Sequence, residues 1–146
     1  MSDVINGKPP TSFWIIAAVA LVWNLIGLAL YYMQVTASDE MLAAAYGEAE
    51  VEFIKSIPAW ATAGYATAVT FGVIGCLLLL LRRTWAIPAF IVSLIGIVVQ
   101  DVYGFVVADA VGVFGAGSVV LPVIVFVIAV ALIVYSRGAK AKGWLT

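Results

Sequence analysis

Polar side chains are scarce in the four apolar stretches of this sequence, and the third stretch contains most of those that could do chemistry. Ser93 and Gln100 lie on one helical face of that stretch, and Asp101 points about 100° away from Gln100. No other acid or base interrupts an apolar stretch. Ionisable groups at membrane depth are costly and often mark substrate or proton pathways. Asp101 is therefore either a proton-coupling carboxylate or a structural group that reaches the outer interface or bonds a neighbouring side chain.

Three further residues complete the candidate pathway. Asn24 lies near the middle of the first stretch, where it predicts either an interhelical hydrogen bond or a contact to substrate. Tyr65 of the second stretch is expected at a depth similar to that of Asp101, and Tyr103 follows Asp101 closely. Either phenol is a candidate partner for the carboxyl. The predicted substrate or proton pathway therefore comprises Asp101, Gln100, Asn24, Tyr65, Tyr103 and Ser93.

The sequence offers little for catalysis or for binding a cofactor. It has no histidine, and its one cysteine, Cys76, lies in an apolar run. The usual ligands for haem or zinc and the usual Cys/His nucleophile pair are therefore missing. A phosphate-binding glycine loop is also missing. We expect no enzyme activity, no cofactor and no metal, and the formal charge of −1 without a basic run argues against a nucleic-acid partner.

The composition indicates the elements that must position these residues. Of 146 residues, 65% are hydrophobic and only 10% are charged, with a mean hydropathy of +1.17. An average soluble domain has about 25% charged residues, so the medium is a lipid bilayer. Crossing the hydrocarbon takes roughly 20 helical residues. The sequence therefore predicts an all-α fold, a single-domain integral membrane four-helix bundle over 1–146, with helices at about 13–33, 58–81, 86–108 and 119–135.

Small residues at helical spacing predict where these helices pack. In lipid, small side chains allow two helix backbones to approach closely. The second stretch has four such residues, each four positions after the last, and the first and third stretches add one each. The predicted packing residues are Gly64, Ala68, Gly72 and Cys76, together with Gly27 and Gly96.

Charge placement predicts orientation. Six of the seven basic residues fall on one side of a chain that crosses four times, whereas the loop over 34–57 contains five acids. Because positive charge is retained in the cytoplasm, both termini are predicted to be cytoplasmic in the bacterial inner membrane. Within the outer loop, apolar residues at helical spacing predict one short amphipathic helix over 39–55, with Ser38 as its N-cap.

Four segments also carry a family resemblance: PTSFW at 10–14, LVWNLIG at 21–27, PAW at 58–60 and LLLLRRTWAIP at 78–88. They resemble a family of small bacterial four-helix inner-membrane proteins often labelled sugar transporters. The resemblance implies solute transport. Because four helices are few for a pore, such a protein would act as a homo-oligomer. The alternative is a non-catalytic accessory or scaffolding subunit of a larger membrane complex, and either version would contact membrane lipid.

Overall fold

A computed structural model describes residues 8–146, so residues 1–7 of the predicted domain lie outside the described residues. The helices are α1 (Thr11–Thr36), α2 (Asp39–Ala45), α3 (Glu48–Lys55), α4 (Ala59–Leu80), α5 (Ala86–Asp101), α6 (Ala110–Phe114) and α7 (Val120–Ala141). A π-helix over Val102–Val107 continues α5, and a 3₁₀ turn over Ala116–Val119 precedes α7. The predicted all-helical class with four apolar spans is confirmed, because α1, α4, extended α5 and extended α7 are each long enough to cross a membrane.

The ends of the spans differ from the predicted bounds. The first helix runs from Thr11 to Thr36 and the fourth reaches Ala141, six residues beyond the predicted end at 135. Basic residues in a last helical turn interact favourably with the negative end of the helix dipole, and Lys140 lies in that turn. The helix therefore continues past the end of its apolar stretch and stops just before Gly143, whose φ is 78°.

The prediction of a single outer helix over 39–55 is wrong, because the loop holds two helices. Tyr46 is extended, with φ −134° and ψ 160°, and it separates α2 from α3. Gly47 then begins α3, and its N–H donates to Glu50 Oε2 at 2.6 Å. An ion pair of 3.0 Å between Lys55 Nζ and Asp39 Oδ1 brings the end of α3 back to the start of α2. The two helices therefore form a hairpin at the end of the bundle.

The four long helices pack in chain order. Extensive contacts join α1 to α4, α4 to α5, and α5 to α7. The closest approach is between α4 and α5, where a Cβ on Gly96 would lie 2.5 Å from the Gly64 carbonyl oxygen and 2.7 Å from Ala68 N. Ser93 adds an interhelical hydrogen bond, since its hydroxyl donates to Ala68 O at 2.6 Å. Small residues thus bring the two backbones together, as is typical of helices in lipid.

The remaining small residues predicted to pack lie between α4 and its neighbours. A Cβ on Gly72 would overlap Asn24 Oδ1 of α1 and lie 3.5 Å from Ser93 Oγ of α5. Gly27 faces Val69 at an ordinary distance of 3.6 Å. Cys76 is fully buried in the main apolar cluster of the bundle.

Charge is segregated between the two ends of the bundle. The basic end contains the α4–α5 loop and the segment after α7, which bind each other: Thr146 N donates to Arg82 O at 2.7 Å. Trp144 is buried there against Phe13, with ring centroids 5.8 Å apart. The other end, called the acidic end below, holds the α2–α3 hairpin. The basic end holds Lys8, Arg82, Arg83, Arg137, Lys140 and Lys142, and the acidic end holds Asp39, Glu40, Glu48, Glu50, Glu52 and Asp109 together with Lys55.

Candidate functional site

A central cavity of about 330 Å³ lies among the four long helices. Most of its lining is aliphatic or aromatic, as in ligand pockets of proteins generally. Its polar lining residues come from α1, α4 and α5, and α7 contributes only apolar side chains. Five of the six residues predicted for the pathway line this cavity: Asn24, Tyr65, Ser93, Gln100 and Asp101.

Two of these polar side chains have hydrogen bonds within the protein. Asn24 Nδ2 donates to Ala20 O at 2.8 Å and contacts Cys76 Sγ at 3.4 Å. The Ser93 hydroxyl donates to Ala68 O, as described above. Both side chains therefore hold helices together, which leaves them less able to bind a ligand.

Gln100 and Asp101 lie where α5 changes from an α-helix to a π-helix. Both side chains are half-buried. Among residues 8–146, neither side chain makes a hydrogen bond or ion pair. They border the same cavity although successive helical residues point in different directions, so the cavity spans a wide sector of this helix. Short π-helical segments are frequent at functional sites, and this one begins directly after the two unpaired polar groups.

Tyr103, the sixth predicted pathway residue, does not line the central cavity. It is buried, and its hydroxyl donates to Ser56 O at 3.4 Å. Its ring packs edge-on against Trp60, with centroids 5.5 Å apart, and lies 6.2 Å from the ring of Phe53. The pairing of Tyr103 with the Asp101 carboxyl that the sequence allowed is therefore not formed.

A second, smaller cavity of about 140 Å³ lies between the central cavity and the acidic end, and is called the vestibule below. Its walls come from the end of α1, from α3 and the loop after it, from the start of α4, from the end of α5 and from the π-helix. Tyr65 and Gln100 line both cavities, so these two side chains form the partition between them. The ring of Tyr31 packs edge-on against that of Tyr65 at 5.1 Å and fixes its position. The vestibule is lined by Gln34, Phe53, Ile57, Ala61, Thr62, Tyr65, Gln100, Tyr103 and Gly104.

The central cavity also opens sideways between α1 and α7. These two helices meet near the basic end, where Phe13 stacks on Tyr135 with centroids 6.3 Å apart. Farther along the bundle, three residues that line the cavity are about half exposed: Ile26 at 54%, Leu30 at 48% and Leu121 at 55%. The cavity is therefore continuous with the surroundings of the bundle.

The electrostatics of the cavity depend on one group. Asp101 is the single acid or base of the Asp, Glu, Lys and Arg types in its lining over residues 8–146.

The basic end is closed off by a cluster of buried apolar residues that includes Phe13, Phe90 and Leu132. In this structure Asp101 is thus open to the side, and the partition of Tyr65 and Gln100 separates it from the vestibule.

The sequence did not reveal the vestibule, the partition or the side opening. These features depend on which helices are neighbours, and no residue pattern in the sequence predicts which helices pack side by side. The fold and the cavity define a multi-pass helical membrane protein with an internal, largely apolar cavity. Comparison of the chain with protein families, with curated proteins and with solved structures finds no match in any of the three.

Proposed function

We propose that the protein is a solute transporter of the bacterial inner membrane that works as a homo-oligomer, with the central cavity as its substrate site and Asp101 as its intramembrane acid. The observation that carries this proposal is the arrangement of two cavities in series. The vestibule leads from the acidic end to the partition of Tyr65 and Gln100, and the central cavity with Asp101 lies directly behind it. A chain that served only to hold other subunits together would need neither cavity.

The charge distribution gives the direction of the pathway. Six of the seven basic residues lie at the basic end, which the positive-inside rule assigns to the cytoplasm. Both termini are then cytoplasmic, and the vestibule opens to the outside. The buried cluster at the basic end closes the inward route, so transport requires that this cluster separate while the outer route closes.

A second copy of the chain would pack against an edge of the bundle beside the open side. The row of helices leaves α1 and α7 as its two edges, and the cavity opens between them. Exposed apolar residues of these edges that do not line the cavity, such as Val19 and Val134, offer a surface on which another copy can pack without closing the opening. The sequence resemblance to bacterial proteins labelled sugar transporters supports transport as the function.

The test is uptake by purified protein in liposomes that contain a pH-sensitive dye. Three radiolabelled probes are offered in turn: phenyltrimethylammonium as a cation, glucose as a neutral polar solute and alanine as a zwitterion. We expect uptake of at least one probe with accompanying proton movement, lost in Asp101→Asn. The matched control is Asp109→Asn, which changes an exposed acid at the acidic end and should behave as wild type. Absence of uptake for all three probes, or unchanged uptake by Asp101→Asn, contradicts the proposal.

The accessory-subunit alternative is favoured by one observation, the small number of polar atoms free to bind a solute. Asn24 and Ser93 are already bonded within the protein. Gentle extraction from native membranes followed by native mass spectrometry separates the two functions. A stoichiometric complex with a larger protein supports the accessory role, whereas a homo-oligomer without other chains supports transport.

A further inference from the structure

We propose that the central cavity binds a lipophilic organic cation, an amine or quaternary ammonium group attached to an apolar body. This inference deepens the proposed function and rests on it, because it names the substrate class of the same cavity. Three features carry it: the apolar lining, the single acidic group and the side opening toward lipid.

The lining fits an apolar body. The α7 wall is built from aliphatic side chains that include Val125, Ile128 and Leu132, and the α1 wall includes Ile26 and Leu30. A volume of about 330 Å³ lies at the lower end of the range for sites of drug-sized ligands. Burial of an apolar ligand against such walls contributes roughly in proportion to the area removed from water.

The charge fits a cation. Asp101 lines the cavity with no Lys or Arg beside it in the described chain, so a ligand ammonium group is the natural counter-charge for its carboxylate. The ring of Tyr65 lines the same space, and aromatic faces attract ammonium groups. The Gln100 side chain has a carbonyl oxygen that can accept a hydrogen bond from a protonated amine.

The same groups disfavour other ligand classes. A sugar needs several convergent polar groups, but Asn24 and Ser93 bond within the protein, and Tyr65, Gln100 and Asp101 remain. An anion would meet the Asp101 carboxylate with no compensating base. The family label would imply a sugar, and the cavity instead favours a molecule with one positive charge and few other polar atoms.

The two entrances also fit an amphipathic cation. The opening between α1 and α7 faces hydrocarbon, where a lipophilic molecule accumulates. The acidic end has six carboxylates and one lysine, Lys55, so its field attracts cations from the aqueous side. A lipophilic cation held in the interface therefore reaches Asp101 directly from the side, whereas the route through the vestibule requires the partition of Tyr65 and Gln100 to open.

The test is equilibrium dialysis of radiolabelled phenyltrimethylammonium against the purified full-length chain in detergent micelles, with protein-free micelles as the blank. We expect saturable binding that unlabelled phenyltrimethylammonium displaces. Its neutral isostere tert-butylbenzene, in which carbon replaces the charged nitrogen, should displace it poorly, and so should benzenesulfonate. Asp101→Asn should weaken binding roughly tenfold or more, whereas Asp101→Glu keeps the charge and should retain binding. Asp109→Asn serves as the matched control and should bind as wild type.

Each alternative outcome has a defined meaning. Equal displacement by the neutral isostere, displacement by the sulfonate, or unchanged affinity of a folded Asp101→Asn would overturn the inference. Circular dichroism and gel filtration establish that this variant is folded, and the Glu variant separates loss of charge from loss of structure. Binding without liposome uptake keeps the inference and removes transport. Uptake of glucose without binding of the cation keeps transport and removes the inference.

Discussion

Replacement of Gly96 by alanine should destabilise the bundle, because its added Cβ has nowhere to go. The Cβ would lie 2.5 Å from Gly64 O and 2.7 Å from Ala68 N. Both are backbone atoms of α4, so the clash is relieved only if the two helices separate. Separation also stretches the hydrogen bond from Ser93 to Ala68 O, now 2.6 Å long.

The magnitude follows from three contributions. Overpacking at a rigid contact costs about 1–3 kcal/mol. Loss of an interhelical hydrogen bond in a membrane protein costs on average about 0.6 kcal/mol. Alanine has a higher helix propensity than glycine, by about 1 kcal/mol, which offsets part of this loss. We expect Gly96→Ala to lower the free energy of unfolding by roughly 0.5–2.5 kcal/mol.

The assay is equilibrium unfolding by sodium dodecyl sulfate in mixed micelles, followed by far-ultraviolet circular dichroism. Three further glycines provide a graded series. Gly64→Ala should cost less, since its nearest clash is the Val99 side chain at 2.9 Å. Gly27→Ala should be nearly neutral, because it meets Val69 at 3.6 Å. Gly138→Ala has open space around its Cβ and should be neutral or slightly stabilising. If Gly96→Ala is as stable as wild type, or if Gly138→Ala costs as much, the reasoning from helix approach is refuted.

Three other predictions test the basic end, the core and the partition. Trp144→Ala should cost about 3–5 kcal/mol in the same unfolding assay, because this ring is 6% exposed and packs against α1. Cys76 is fully buried and should react with a maleimide only after unfolding. Because Cys76 does not react in the folded protein, a cysteine introduced as Ile97→Cys reports on the central cavity alone. Tyr65→Ala should widen the partition and so speed the modification of this cysteine by a charged thiosulfonate.

Matched controls exist for each of these variants. Trp85→Ala removes an indole at the same end that is 70% exposed, and its loss should cost little. A Cys76 that reacts at once in the folded protein would contradict the core described above. Tyr103→Ala enlarges the vestibule but leaves the partition in place, so it should not speed the labelling of Ile97→Cys. Equal acceleration by Tyr103→Ala and Tyr65→Ala would show that Tyr65 does not separate the two cavities.

The spans were predictable because the bilayer restricts the chain so strongly. A backbone in hydrocarbon must be helical, and a long apolar run has few alternatives. The helix ends were less predictable, since they lie in water, where caps and charges decide them. The loop over 34–57 shows this limit: apolar spacing over 39–55 predicted one helix, but Tyr46 is extended and Gly47 starts a second one.

The candidate site was predictable in its residues but not in its shape. Asp101, Gln100 and Tyr65 were identified because polar groups in lipid are costly. That Asn24 contacts Cys76 and Ser93 bonds to Ala68 depends on helix rotation, which the sequence did not specify. The π-helix after Asp101 has no recognisable signal in the sequence, and Tyr103 lies within it. Its position beneath α3, and not beside the carboxyl, could therefore not be foreseen.

The packing of each long helix on its predecessor also bears on how the chain is made. Spans leave the ribosome and enter the membrane in chain order, so α4 finds α1 already inserted, α5 finds α4, and α7 finds α5. No span must wait for a distant partner before it can bury its packing face. The segment with Trp144 and Leu145, which closes the basic end, is synthesised after all four spans. The bundle therefore stays unsealed at its basic end throughout insertion, and its last assembly step follows the synthesis of α7.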